Sequence, residues 1–133
     1  VRVKATIEYL GCAYSGWQAQ PNRPTVQVAL EHALQVVVGR RVRVEGAGRT
    51  DAGVHALGQV AAFDVADDTD LYRLRASVNG LTDRDISVVD LEEVAADFDP
   101  RRSATRRMYR YTIVSGRPPS ALLEGRSWHV YSQ

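Results

Sequence analysis

Val1, Val3, Ala5, Ile7 and Tyr9 alternate with Arg2, Lys4, Thr6 and Glu8 at the start of the chain. A period of two sustained this long describes a strand with one face buried and the other in water. Such a strand needs neighbours in a sheet and an apolar element against its inner face. A covering helix is legible nearby: Thr25 can cap it, Val26, Ala29, Leu30, Ala33, Leu34 and Val37 recur at helical spacing, and Gly39 can end it. Residues 41–45 alternate again, and Gln59 to Val65 resumes as strand. Asp68 or Thr69 starts a second helix with Leu71, Leu74 and Val78 on one face, closed by Asn79 and Gly80. Ile86 to Leu91, Met108 to Val114 and Ser127 to Tyr131 read as strands, the middle one placing Tyr109, Tyr111 and Ile113 on one face. The order β-α-β-β-α-β-β-β predicts an α+β fold, a mostly antiparallel sheet with two helices packed on one face, ferredoxin-like.

A chain of 133 residues supports a single domain spanning 1–133. No apolar run approaches the length that spans a bilayer. Cys12 is the only cysteine, which excludes an internal disulfide and points to a reducing, cytoplasmic location. The net charge of +1 hides a strong asymmetry. Residues 64–99 hold three basic and eleven acidic side chains, whereas 101–133 hold seven basic and one acidic. Arg101, Arg102, Arg106, Arg107 and Arg110 fall together without an intervening carboxylate. Arginine bridges phosphates bidentately and stacks on bases, so this cluster reads as a phosphate-backbone site, with a solvated charged face as the alternative.

Between two of the strands runs GAGRTDAGVH, Gly46 to His55. Glycines at 46, 48 and 53 weaken regular structure and point to a loop whose backbone shape is specified. The spelling lacks the Gly-Lys-Ser/Thr ending of a phosphate-binding P-loop and the third glycine of a dinucleotide fingerprint. Asp51 and His55 find no third ligand at metal-binding spacing. What remains is a carboxylate, Asp51, with a cation, Arg49, close enough in sequence to form an ion pair that keeps it ionised for nucleophilic attack. The competing reading is that Arg49, Thr50 and Asp51 satisfy the loop's own backbone groups. Trp17 reads equally as a packing residue of its loop and as an RNA contact. Trp128 reads as core, His32 as solvated, His55 as shaping the loop, and Tyr9, Tyr14 and Tyr111 as core or loop anchors.

The segment GAGRTDAGVHALGQVAAFD, Gly46 to Asp64, strongly resembles the signature of the tRNA pseudouridine synthase A family. Glu8 to Leu34 is similar to that family's N-terminal strand, Gly-Trp-Gln loop and first helix, and Ser103 to Ile113 to its arginine-rich strand ending in Tyr-Arg-Tyr. The resemblance implies that Asp51 is the nucleophile in uridine isomerisation, with Arg49 as its partner and Tyr109 stacking on the substrate. It also implies action on uridines 38–40 of the tRNA anticodon arm, by a homodimer, with no metal or organic cofactor. Departures lie at Leu81 to Asp85, where the family shows a Leu-Pro pair, at Arg102, often phenylalanine, and at Met108. Family members carry a second half of similar fold. The chain therefore reads as the N-terminal catalytic half, with the C-terminal half absent and activity alone weak or missing. A non-catalytic RNA-binding module that keeps the fold, or an inactive fragment, is the alternative.

Overall fold

The structure is a computed structural model that describes residues 1–116 and 118–130. Tyr131, the expected end of the last strand, lies outside the described residues. Strand β1 (Arg2–Tyr9) leads through a 3-10 turn (Gly11–Ala13) and a loop to helix α1 (Val26–Val38). Strands β2 (Glu45–Gly46) and β3 (Ala56–Asp64), helix α2 (Leu71–Leu81) and strand β4 (Ile86–Val94) follow. The four strands make a sheet ordered β2-β3-β1-β4, with each neighbouring pair antiparallel. Short strands β5 (Ile113–Ser115) and β6 (Trp128–Val130) pair parallel in a separate ladder. The element order and the α+β, ferredoxin-like architecture are those expected from the sequence. No helix among the described residues is long and apolar enough to cross a membrane.

The alternation in β1 acts as expected. Val3, Ala5, Ile7 and Tyr9 are buried, and they pack with Leu30, Ala33 and Leu34 of α1 and Leu74 and Val78 of α2 in one core cluster. Thr25 caps α1 by accepting the Val28 N–H through its hydroxyl, and Gly39 ends the helix in the left-handed region at φ 84°. On the opposite face of the sheet, Arg2 donates to Glu45 at 3.0 Å, to Asp64 at 3.3 Å and to the Phe98 carbonyl at 3.0 Å. This ties the segment after β4 to the sheet. Both ladders of β1 shift register near its C-terminal end, between Ile7 and Tyr9 against β3 and between Thr6 and Ile7 against β4. Bulges of this kind re-aim side chains at the rim of a sheet, and here they lie at the end where the glycine loop sits.

Four expectations are corrected. The 41–45 strand shrinks to Glu45–Gly46, although Val42 and Val44 are buried as an inward-facing set should be. Helix α2 starts after Asp70, whose carboxylate accepts the Arg73 N–H, and runs through Asn79 and Gly80 to Leu81. Asn79 does not stop the helix because its amide is used elsewhere. It donates to the Val88 carbonyl at 2.9 Å and accepts the Val88 N–H at 2.8 Å. The 108–114 strand survives only as Ile113–Ser115, since nothing among the described residues pairs with 108–111. Tyr111 and Trp128 are exposed rather than core.

Because β4 is an edge strand, Val88 turns backbone groups away from the sheet, and Asn79 caps them. Asn79→Ala leaves both groups unpaired and is expected to cost about 1–3 kcal/mol in urea unfolding. A change below about 0.5 kcal/mol contradicts this role.

Candidate functional site

The loop between β2 and β3 is shaped by the segment that follows β1. Gly46 lies against the Trp17 indole so closely that a Cβ there overlaps Nε1. Trp17 is 1% exposed and stacks on Tyr9, ring centroids 6.3 Å apart. Its role is packing. Backbone bonds then fasten the loop. The Ala47 N–H donates to the Val60 carbonyl at 2.8 Å, and the Trp17 N–H to the Thr50 carbonyl at 3.1 Å. The Gly53 N–H reaches the Tyr14 carbonyl at 3.3 Å. Asp51 to Val54 closes as a β-turn, with the Val54 N–H on the Asp51 carbonyl at 3.1 Å and Gly53 at φ 81°. Only glycine occupies that third position without strain, in the manner of a type II turn. Gln59 donates to the Gly48 carbonyl at 2.7 Å.

Side chains of the loop divide into two groups. Thr50 and His55 hold the scaffold. The Thr50 hydroxyl bonds the Tyr9 hydroxyl at 2.7 Å. Burial pushes the Tyr9 phenol upward, with the Thr50 bond opposing, so it stays a neutral hydrogen-bonding group. His55 accepts the Gly11 N–H at Nδ1, 2.8 Å, which leaves Nε2 as donor to the Gly125 carbonyl at 2.6 Å. Arg49 and Asp51 belong to the second group. Both are exposed, and no hydrogen bond or ion pair engages either side chain among the described residues. The expected Arg49–Asp51 ion pair is therefore not formed. The competing reading, that these side chains satisfy the loop's own backbone, does not hold either: the Thr50 hydroxyl bonds the Tyr9 side chain, and Arg49 and Asp51 bond nothing among the described residues.

The arginine segment approaches the same loop from the other side. The carboxylate of Asp99 accepts the Arg101 and Arg102 N–H groups at 2.9 Å each, and these bonds, Arg102's foremost, hold its acid well below the usual carboxylate range. Arg107 donates to the Ala47 carbonyl at 3.0 Å, so it braces the loop's entry, a contact the sequence did not indicate. Arg101, Arg102, Arg106 and Arg110 are exposed, and Tyr109 is 72% exposed. Tyr14, another anchor, donates to Asp85 at 2.7 Å, and burial together with that bond pushes its phenol upward.

The tRNA pseudouridine synthase family model matches residues 5–110, which span the loop, Tyr109 and the arginine segment. The chain belongs to that family. It is 47% identical over 131 residues to the tRNA pseudouridine synthase A of Myxococcus xanthus, covering 98% of this chain and 49% of the relative. The enzyme of the same name from Rhodopseudomonas palustris (strain HaA2) is 51% identical over 130 residues, covering 97% and 53%. That from Sinorhizobium medicae is 48% identical over 132 residues, with the same coverage. The chain thus spans about half the length of the curated relatives it matches.

In this member of the family, loop shape depends on Gly46 more than on Gly48, beside which a Cβ meets nothing. Gly46→Ala forces Trp17 from its seat and is expected to destabilise by about 1–3 kcal/mol. Gly48→Ala is expected to lie within about 0.5 kcal/mol of the parent. Equal effects in thermal unfolding contradict the packing assignment.

Proposed function

We propose that this chain is the nucleophile-bearing half of a tRNA pseudouridine synthase, converting uridine to pseudouridine in the anticodon arm, at uridines 38–40. The observation that carries the reading is an aspartate held on a rigid turn with its side chain committed to nothing in the scaffold. The reaction breaks the bond from uracil N1 to C1′, turns the base and joins C5 to C1′. The C5 hydrogen leaves as a proton, and N1 ends protonated. Asp51 acts as the nucleophile, at C6 of the base or at C1′. Arg49, unpaired in the free chain, is available to pair with Asp51 once RNA excludes water, and to occupy the stack vacated by the base.

A stacked base is out of reach of such a carboxylate, so the uridine must be flipped out, at a cost of a few kcal/mol. Stacking on Tyr109 offsets about 1–3 kcal/mol of that. The exposure of Tyr109 fits a ring that waits for a partner. Arg101, Arg102, Arg106 and Arg110 contact phosphates and position the arm without reading sequence. Arg107 combines such a contact with its brace on Ala47. The active protein works in the cytoplasm as a homodimer on tRNA and needs no cofactor.

A second, C-terminal half completes the cleft. Two observations support this. The chain spans about half of its relatives, and Met108, Tyr109, Tyr111, Ile113 and Trp128 leave apolar surface uncovered. Tritium release from 5-tritiated uridine in a tRNA transcript is the test. A fusion of this chain to the C-terminal half of the Myxococcus xanthus relative is expected to release tritium, and the 133-residue chain alone little or none. Asp51→Asn in the fusion lowers release by at least about three orders of magnitude while RNA binding persists. Equal release with and without the substitution contradicts the nucleophile assignment. Salt-sensitive RNA binding without release by the fusion favours a non-catalytic RNA-binding module.

A further inference from the structure

Beside the glycine loop, on the side of Trp17 and β2, lies an open cleft of about 160 Å³ whose walls include Arg43, Arg49, Arg101 and Gln18. Neither Asp51 nor Tyr109 lines it, so it is distinct from the place where the uracil reacts. Its one carboxylate, Glu45, is already paired with Arg2 at 3.0 Å. The guanidinium groups of Arg43, Arg49 and Arg101 have no hydrogen-bonding or ionic partner among the described residues. Three cations therefore face one polar space with no anion to balance them, an arrangement that repels itself until an anion enters.

The walls are also fixed in place. Gln27, at the back of the cleft, is 8% exposed and fully committed. It accepts the Ala19 N–H at 2.8 Å and donates to the Val44 carbonyl at 2.9 Å and to Glu31 at 3.1 Å. Trp17 and Gly46 close the floor. Arg101 is delivered by the Asp99 turn, which Arg2 ties to the sheet through the Phe98 carbonyl. An ordinary solvated patch has no such framework beneath it.

We propose that this cleft is a phosphodiester subsite in which Arg43 and Arg101 grip one backbone phosphate of the RNA next to the flipped uridine, while Arg49, at its rim, turns to Asp51. Guanidinium forks match the phosphate oxygens bidentately, and two of them from separate segments fix a single phosphate in position. The inference rests on the RNA-modifying reading above and adds to it a residue, Arg43, outside the arginine segment. Because the cleft borders the loop that carries Asp51, phosphate capture here sets the register of the RNA strand relative to the nucleophile.

The test is binding, by the fusion to the Myxococcus xanthus C-terminal half, of an anticodon stem-loop RNA in which one linkage at a time carries a neutral methylphosphonate. In the parent fusion, one linkage is expected to matter, its neutralisation weakening binding about tenfold. In Arg43→Gln the same neutralisation changes affinity less than about twofold, and the slope of log affinity against log salt falls by about 0.7–0.9. Arg41→Gln, an exposed neighbour outside the cleft, keeps the full linkage effect. Equal behaviour of Arg43→Gln and Arg41→Gln overturns the subsite. So does displacement of the RNA by inorganic phosphate at constant ionic strength with no linkage effect, which assigns the cleft to a free anion. If Asp51-dependent tritium release stands while the linkage effect is absent, only the subsite falls. If the RNA does not bind at all, the functional reading falls with it.

Discussion

The contact on which this molecule's site depends is the seat of Trp17 against Gly46. The indole fills the space that any side chain at 46 occupies, and its own backbone N–H takes the Thr50 carbonyl. From that one docking the rest of the loop follows. Thr50 is fixed from both its carbonyl and its hydroxyl, and the turn from Asp51 to Val54 then projects from an anchored base. A buried aromatic residue and a set of main-chain bonds do the holding. The two charged side chains on either side of Thr50 are released from structural duty.

That division has a chemical consequence. A carboxylate used as a structural acceptor is stabilised in its resting state and loses nucleophilicity to the same bonds. Asp51 carries no such bonds among the described residues, and Arg49 is equally uncommitted. In the proposed reaction, preorganisation resides in the backbone, and electrostatic pairing is deferred until substrate arrives. The arginine segment adds a second layer. Arg107 bonds the Ala47 carbonyl and His55 bonds the Gly125 carbonyl, so the chain after β4 grips the loop at its entry and its exit. The tail proposed to meet the RNA phosphates is thereby linked mechanically to the loop that carries Asp51.

Much of this was legible in the sequence where the cause was local. The alternation in β1 set the buried set Val3, Ala5, Ile7 and Tyr9, and Thr25 and Gly39 bounded α1 within a residue. The glycine loop announced itself by spelling. Long-range causes were not legible. Asn79 reads as a helix stop, but its amide spans to Val88 on another element and the helix continues. The 108–111 stretch has the pattern of a strand, yet a strand needs a partner, and none pairs with it in the described residues. Arg49 and Asp51 are near enough in sequence to pair, but on the anchored loop no ion pair forms between them. Arg43 and Arg101 line one cleft, and the Arg2 bond to the Phe98 carbonyl ties the segment before Arg101 to the sheet.

Amide hydrogen exchange at Trp17, Ala47, Gly53 and Val54 tests the backbone-held loop most directly. Slow exchange close to that of β1 is expected in the parent chain, and it should persist in Arg49→Ala and Asp51→Asn, because neither side chain supports the scaffold. Exchange as fast as at Arg106 or Arg110, or protection lost on either substitution, contradicts the account and returns the loop's shape to an ion pair between positions 49 and 51.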